Sequence, residues 1–150
     1  MIYLDNNAAT PLRPEARAAV IEAMDFQGNP SSVHAEGRAA RRVVENARRQ
    51  VARLANVQAD QVIFTSGATE ANNMVFKGLM QDSKILTSSI EHDCVLDSTP
   101  NAERLPVTST GVVDLQYLQS RLANLRRETP DQHILLSVMA VNNETGIIQP

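Results

Sequence analysis

Small residues between an apolar run and a helical pattern form the first candidate for chemistry. Val62-Ile63-Phe64 is short and apolar, which predicts a buried parallel strand. Ser66-Gly67 interrupts this run, and apolar residues at helical spacing begin at Ala68. The N–H groups that begin such a helix can bind an anion, and the hydroxyl of Thr69 lies at the same place. We therefore predict a phosphate site at this turn, although an ordinary capped turn would give the same short motif.

Two further polar groups follow apolar segments later in the chain. Glu91-His92 comes after Lys84–Ser88, and Asn142-Asn143-Glu144 comes after the apolar run that ends at Val141. Ligands in open α/β sheets bind beyond the carboxyl ends of the strands. An anion site, an imidazole and a carboxamide are therefore expected to meet at one edge of the sheet. Taken alone, each has a simpler explanation as a loop histidine or an asparagine turn.

Cys94 follows His92 by two residues, which raises the hypothesis of a thiolate–imidazole pair. This spacing does not place the two side chains on one helical face, so we expect Cys94 to be a small, half-buried residue instead. No spacing of His, Cys, Asp and Glu is typical of metal ligands, and no metal site is predicted.

The elements that must position these groups alternate between helices and strands. Such alternation predicts an α/β fold with a doubly wound, mostly parallel sheet and helices on both faces. The predicted elements are a helix from Pro14 to Met24, a long helix from Val33 to Leu54, a helix from Ala68 to Met80, a strand at Lys84–Ser88, a short helix closed by Asp97–Pro100, an edge strand at Arg104–Val107, a helix capped by Asp114 and a strand from His133 to Val141.

Composition excludes several classes of partner. The 150 residues carry 14 basic and 17 acidic side chains, so the formal charge of −3 implies no nucleic-acid or other polyanion partner. No leader and no apolar run of membrane-spanning length is present, and we expect no membrane association. The single cysteine suits a reducing compartment, which favours a cytoplasmic protein.

Five motifs give this chain a family resemblance. From Tyr3 to Pro150 it resembles the cysteine desulfurases of the NifS/IscS branch, which are pyridoxal 5'-phosphate (PLP) enzymes of the class V aminotransferase family. The motifs, in the order and approximate spacing of that family, are Asp5–Pro11, Gly28–His34, Phe64–Asn73, Glu91-His92 and Val141–Gly146.

The resemblance implies a role for each matching position. Ala68 and Thr69 would bind the phosphate of PLP. His92 would lie flat on the pyridine ring and assist proton transfers as the catalytic residue, and Asn143 would hydrogen-bond near the phenolic oxygen and the substrate. Two loops, Asn7 to Thr10 and Asn29 to His34, would border the active site near the interface of a homodimer.

The resemblance also implies the reaction and the domain. Residues 1–150 would form the N-terminal segment and the first part of the PLP-binding large domain of fold type I, an incomplete α/β domain. The enzyme would convert L-cysteine to L-alanine and pass the sulfur on, as an enzyme persulfide, to an acceptor or scaffold protein for iron–sulfur cluster assembly or tRNA thiolation.

Three functional groups of that family have no match in this chain. Neither Lys77 nor Lys84 matches the lysine that binds PLP, and Cys94 does not match the persulfide cysteine. We expect these residues, the aspartate that faces the pyridine nitrogen and the C-terminal small domain to lie beyond Pro150. The isolated chain is then expected to be inactive and only marginally stable in solution, because its strands lack neighbours.

Two alternatives remain open from the residues and the resemblance. One is another class V enzyme, such as a selenocysteine lyase or an aminotransferase. The other is a truncated, non-catalytic chain that serves as a dimerising or scaffold partner. A dinucleotide-binding module is not indicated, because no Gly-x-Gly-x-x-Gly follows any predicted strand.

Overall fold

The computed structural model describes residues 2–79 and 82–150. The chain divides into two compact units, a first that ends at Phe64 and a second that begins at Thr65. Within the described ranges, no helix combines the length and the apolar character needed to cross a membrane.

The first unit contains the two long helices that the sequence predicts. Helix α1 spans Pro14–Met24, with the proline in its first turn, and helix α2 spans Ala35–Ala55. His34 caps α2 because its Nδ1 accepts a hydrogen bond from the N–H of Gly37 at 3.3 Å. A side chain at Gly37 would place its Cβ 2.4 Å from the carbonyl oxygen of Ser32, so this turn requires the glycine.

The prediction of a buried strand at Val62–Phe64 is wrong. Val62 is extended, with φ −97° and ψ 121°, but this segment belongs to none of the described strands, and Ile63 is 66% exposed. Side-chain contacts take the place of a ladder: Arg48 donates to the carbonyl of Val62, and its guanidinium lies 5.0 Å from the centre of the Phe64 ring. An extended apolar run therefore indicates backbone conformation but does not supply a partner strand.

The second unit is built on a parallel sheet of three strands. Strands β1 (Lys84–Ser88), β2 (Glu103–Leu105) and β3 (Ile134–Ser137) are ordered β2-β1-β3, so β1 is central. Leu86 pairs with Glu103 on one side of β1 and with Leu136 on the other. The helices of this unit are α3 (Ala68–Asn73), α4 (Asp93–Leu96) and α5 (Leu115–Glu128), and a π-helical segment (Met74–Leu79) follows α3.

Helices cover both faces of this sheet. On one face, Leu86 and Leu105 of the strands pack with Leu125 of α5 in the hydrophobic core. Successive residues of a strand point to opposite faces. Arg104 therefore lies on the other face, where its Nη2 donates to the carbonyl of Leu96, at the end of α4, at 3.1 Å. The predicted α/β fold with helices on both faces of a parallel sheet is confirmed.

Strand β3 ends four residues earlier than predicted. Its ladder with β1 stops at the pair Thr87–Ser137. Two residues later the N–H of Met139 donates to the carboxylate of Glu91 at 2.7 Å. That side chain takes the place of a neighbouring strand, and the backbone leaves the sheet. Strand β2 is also shorter than predicted, because it ends before Pro106, which has no N–H to donate.

The helix predicted from Ala68 to Met80 changes its winding along its length. It is α-helical to Asn73 and π-helical from Met74, while Met80 lies outside the described residues. The side chain of Asn73 donates to the carbonyl of Thr69 at 2.8 Å, and asparagine in a helix competes in this way with the regular backbone ladder. The short helix α4 ends at Leu96, directly before Asp97–Pro100, the segment predicted to close it.

Candidate active site

The turn before α3 presents backbone donors at the predicted phosphate position. The first hydrogen bond of the helix runs from the N–H of Ala71 to the carbonyl of Gly67 at 3.1 Å. The N–H groups of the three residues between them have no acceptor within the helix, as in any first turn. The hydroxyl of Thr69 belongs to the same turn. Apart from Gly67 and its chain neighbours, no atom of the described residues lies within 4 Å of the position that a Cβ of Gly67 would occupy.

The side chain of Glu70 hydrogen-bonds back to the residue that precedes this turn. Its carboxylate accepts a hydrogen bond from the N–H of Ser66 at 2.6 Å. This hydrogen bond holds the pKa of Glu70 below its usual value. The carboxylate is thereby engaged by the residue that precedes the turn, which fixes how the chain enters the helix.

His92 caps helix α4 with its imidazole ring. The Nδ1 atom accepts a hydrogen bond from the N–H of Cys94 at 3.1 Å. An Nδ1 that accepts has no hydrogen of its own, so the neutral ring carries its hydrogen on Nε2. The cap thus sets both the tautomer and the orientation of this histidine.

One polar cavity joins two of the predicted site residues. It has a volume of about 300 Å³ and is lined by residues 90–93 and 142–145, which follow β1 and β3. His92 and Asn143 both line it, as do the acidic residues Glu91, Asp93 and Glu144. Because β1 and β3 are adjacent and parallel, their following loops lie at the same edge of the sheet.

The predicted phosphate residues lie apart from this cavity lining but close to its histidine-bearing helix. Ala68 and Thr69 are not among the lining residues, whereas helix α3, which they begin, contacts α4, which His92 caps. At this contact the side-chain amide of Asn72 donates to the sulfur of Cys94 at 3.2 Å. Cys94 is half-buried as expected, and its link to His92 is through its backbone N–H and not through its thiol.

Sequence reasoning assigned no role to two buried neighbours of the site. Glu91 and Asn142 are each only 8% exposed, and each directly precedes a predicted site residue. Their hydrogen-bond partners include backbone groups 48 and 52 positions away along the chain. No local spacing pattern reports such contacts, so only the structure identifies them.

The donor set of this region fits PLP in chemical type. A phosphate needs N–H and O–H donors at a helix start, which the turn at Ala68 and Thr69 offers. An aromatic ring with a phenolic oxygen needs a flat apolar surface and hydrogen-bonding groups, which His92 and Asn143 offer from one cavity.

Comparisons with known proteins agree on one family. The family model described as "Aminotransferase class-V" matches residues 2–150. The chain is 40% identical to "Cysteine desulfurase IscS" of Rickettsia bellii over 99% of its length and 38% of that protein. It is 42% identical to "Cysteine desulfurase, mitochondrial" of Arabidopsis thaliana over 99% of its length and 34% of that protein. The chain thus spans well under half the length of these relatives.

Solved structures give the same result. The fold is similar to that of a NifS-like protein from Rickettsia africae, with a TM-score of 0.84 and 34% identity over 99% of this chain and 42% of that one. DndA from Streptomyces lividans is similar with a TM-score of 0.72 and 36% identity, over 99% of this chain and 44% of that one. Because both similarities cover 99% of this chain, they include the second unit, which contains the cavity.

Proposed function

Because the chain belongs to the class V aminotransferase family, we propose that it is the N-terminal part of a PLP-dependent cysteine desulfurase. The observation that carries this proposal is the cavity after β1 and β3, which His92 and Asn143 line together. The names of the similar proteins support the same activity. In domain terms, residues 1–150 correspond to the N-terminal segment and the first part of the PLP-binding large domain.

Each site residue has a distinct task in this proposal. Bound PLP supplies the electron sink for cleavage of the bond to sulfur, which lies on the carbon next to the amino-bearing carbon of the substrate. Ala68 and Thr69 bind the phosphate through N–H and O–H donors and so anchor the cofactor. His92 stacks on the ring and transfers protons through Nε2, because its Nδ1 is engaged in the helix cap. Asn143 orients the phenolic oxygen and the substrate through its carboxamide.

The wider context follows from the same family. The substrate is L-cysteine, the active assembly is a homodimer, and the sulfur passes to an acceptor or scaffold protein in iron–sulfur cluster assembly or tRNA thiolation. We place the enzyme in the cytoplasm, because the single cysteine of residues 1–150 suits a reducing compartment. The lysine that binds PLP and the persulfide cysteine have no counterpart among residues 1–150, so this chain alone does not turn over.

The test compares the complete gene product with residues 1–150 expressed alone. Both are incubated with PLP and L-cysteine, and alanine and sulfide are measured over time. We expect equal amounts of alanine and sulfide from the complete product and neither from residues 1–150. Consumption of L-selenocysteine but not L-cysteine would assign a selenocysteine lyase instead, and amino transfer to a 2-oxo acid would assign an aminotransferase. If the complete product binds no PLP, the proposed function is wrong and a non-catalytic chain remains.

A single substitution tests the phosphate site. Thr69→Val removes the hydroxyl and keeps the shape of the side chain, so we expect the Kd for PLP to rise about tenfold, as for a lost hydrogen bond to a charged group. Fluorescence titration of the complete gene product with PLP measures this constant. Thr110→Val is the matched control, because Thr110 is exposed and its hydroxyl pairs with that of Thr108. Equal constants for both variants would exclude Thr69 from the phosphate site.

A further inference from the structure

A buried carboxylate links the loop that carries His92 to the loop that carries Asn143. The Oε1 atom of Glu91 accepts a hydrogen bond from the hydroxyl of Ser88, at the end of β1, at 2.8 Å. The same oxygen accepts from the N–H of Met139, in the loop after β3, at 2.7 Å. Glu91 therefore holds the backbone of the opposite loop while its own backbone leads directly into His92.

A buried carboxamide makes the reciprocal link. The Nδ2 atom of Asn142 donates to the carbonyl of Ile90, in the loop after β1, at 3.0 Å. Its Oδ1 atom accepts from the N–H groups of Glu144 and Thr145 at 2.9 and 2.8 Å, which closes the turn around Asn143. Asn142 therefore shapes its own loop with one atom and holds the opposite loop with the other.

The two links cross between the same pair of loops. Each starts from the residue directly before a predicted site residue, and each ends on backbone of the other loop. Both side chains are 8% exposed, so water competes little for their partners, and an unmade bond there leaves a buried polar group unsatisfied. These two hydrogen bonds join the loops beyond the end of the sheet ladder, which stops at the pair Thr87–Ser137.

We propose that Glu91 and Asn142 are positioning residues. They hold His92 and Asn143 at a separation at which both side chains can contact one planar ring. We call the two cross-loop hydrogen bonds of these residues the Glu91–Asn142 bracket. Its positioning role rests on the proposed function, which supplies the ligand, whereas the hydrogen bonds themselves do not depend on that function. Neither side chain needs to touch the cofactor or take a proton.

The sharpest variant removes only one cross-loop bond. Asn142→Asp keeps an oxygen for the N–H groups of Glu144 and Thr145 but loses the Nδ2 donor, which serves the carbonyl of Ile90 across the loops and the sulfur of Met139 within its own loop. We expect the amide of Met139 to exchange faster with solvent in this variant, although its own acceptor, Glu91, is unchanged. Hydrogen exchange measured without PLP on the complete gene product detects this coupling between the loops. Unchanged exchange at Met139 would overturn the bracket.

A second pair of variants tests the carboxylate. Glu91→Gln keeps an oxygen acceptor in the same shape and is expected to behave like the natural protein. Glu91→Leu removes the acceptor and is expected to speed amide exchange at Glu144 and Thr145, whose own acceptor is Asn142. If Glu91→Leu does not fold, Asn142→Asp and Glu91→Gln still decide the question, because loss of coupling in the first and its retention in the second are both required.

Binding of PLP separates positioning from general destabilisation. Thr99→Val is the matched control, because it removes two hydrogen bonds of a buried hydroxyl, one to the carbonyl of Val95 and one from Arg104, and neither joins the two loops. We expect Asn142→Asp to raise the Kd for PLP about tenfold and Thr99→Val to change it less than about twofold at an equal loss of Tm. Equal effects on the Kd would reduce the bracket to a structural role and overturn the proposal.

The hydrogen-exchange and PLP-binding experiments together distinguish a failure of this proposal from a failure of the proposed function. A natural protein that binds no PLP contradicts the desulfurase assignment and, with it, the positioning role. Coupled exchange in that protein would leave only a bracket between two loops. A protein that binds PLP but shows no coupling keeps the function and loses the positioning residues.

Discussion

Glu103 on β2 brings the charges of two other elements to one carboxylate. Arg121 of α5 donates to it through Nε at 2.7 Å and Nη2 at 3.1 Å, and the ammonium of Lys84 on β1 lies 3.3 Å away. The side chain of Glu103 is 20% exposed, so solvent screens these contacts only in part. The hydrogen bonds from Arg121, above all, hold the pKa of Glu103 below its usual value of 4.5.

This lowered pKa predicts a pH-dependent contribution to stability. A carboxyl group whose pKa is lower in the folded state stabilises the fold above its unfolded pKa, and the contribution is lost as the pH falls through the folded value. We expect Glu103→Gln to lower the free energy of unfolding by about 1 kcal/mol at neutral pH. The difference should shrink steadily below pH 4.5. Urea unfolding of both proteins across this range measures it.

The control for this prediction is Glu128→Gln. Glu128 also pairs with Arg121, at 3.3 Å, but its side chain is 59% exposed, so its removal should change stability little at any pH. A loss in Glu103→Gln that persists undiminished in acid would mean that the shape of the contact matters and its charge does not.

Helix α5 is stabilised by the residue that caps it and by its core face. Asp114 precedes the helix, and its carboxylate accepts from the N–H of Tyr117 at 2.9 Å. Leu125 near the other end is 3% exposed and joins the core with Leu86 and Leu105. Because Arg121 of the same helix reaches β2, the position of α5 supports the sheet from whose ends the site loops emerge.

Removal of this cap is expected to weaken the whole second unit. Asp114→Ala leaves a first-turn N–H without an acceptor and should lower the free energy of unfolding by about 1 kcal/mol. Asp114→Asn keeps a capping oxygen and should cost much less, which makes it the matched control. Urea unfolding followed by circular dichroism compares the three proteins. Equal losses in both variants would show that the negative charge near the helix start, and not the cap, is responsible.

At the scale of the whole molecule, large apolar side chains remain uncovered in both units. Leu54, near the end of α2, is 90% exposed, and Leu4 and Ile148 are 83% and 71% exposed. Strands β2 and β3 each pair on one side only among the described strands. Exposed apolar surface and unpaired strand edges both promote association between chains.

Residues 1–150 expressed alone are therefore expected to self-associate. Sedimentation velocity over a range of concentrations should show species that grow with concentration, whereas the complete gene product should give one discrete species. Leu54→Lys is expected to reduce the association, and Lys77→Leu, on the surface of the second unit, to increase it or leave it unchanged. A chain that stays monomeric throughout would contradict this expectation.

Sequence reasoning predicted helices α1, α2 and α5 and the strand at Lys84–Ser88 correctly. The spacing of apolar residues indicated these elements, and for α1 the proline in the first turn also marked the start of the helix. It failed at Val62–Phe64, since β-branched and aromatic residues favour an extended backbone whether or not a partner strand is present. The end of β3 could not be predicted, because the carboxylate of Glu91 that binds the N–H of Met139 lies 48 positions before it in the chain. The order of the strands did predict that His92 and Asn143 lie at one edge of the sheet, and both line one cavity, whereas the buried contacts of Glu91 and Asn142 could be found only in the fold.

His92 caps α4 through one ring nitrogen, and the proposed function assigns its ring a second, catalytic role. His92→Ala would remove the cap and the imidazole together, so the two effects could not be told apart. Asparagine is the separating replacement, because its amide oxygen is a strong helix cap while it offers no aromatic plane. Any function that His92→Asn retains depends on the helix cap, and any function that it loses depends on the imidazole.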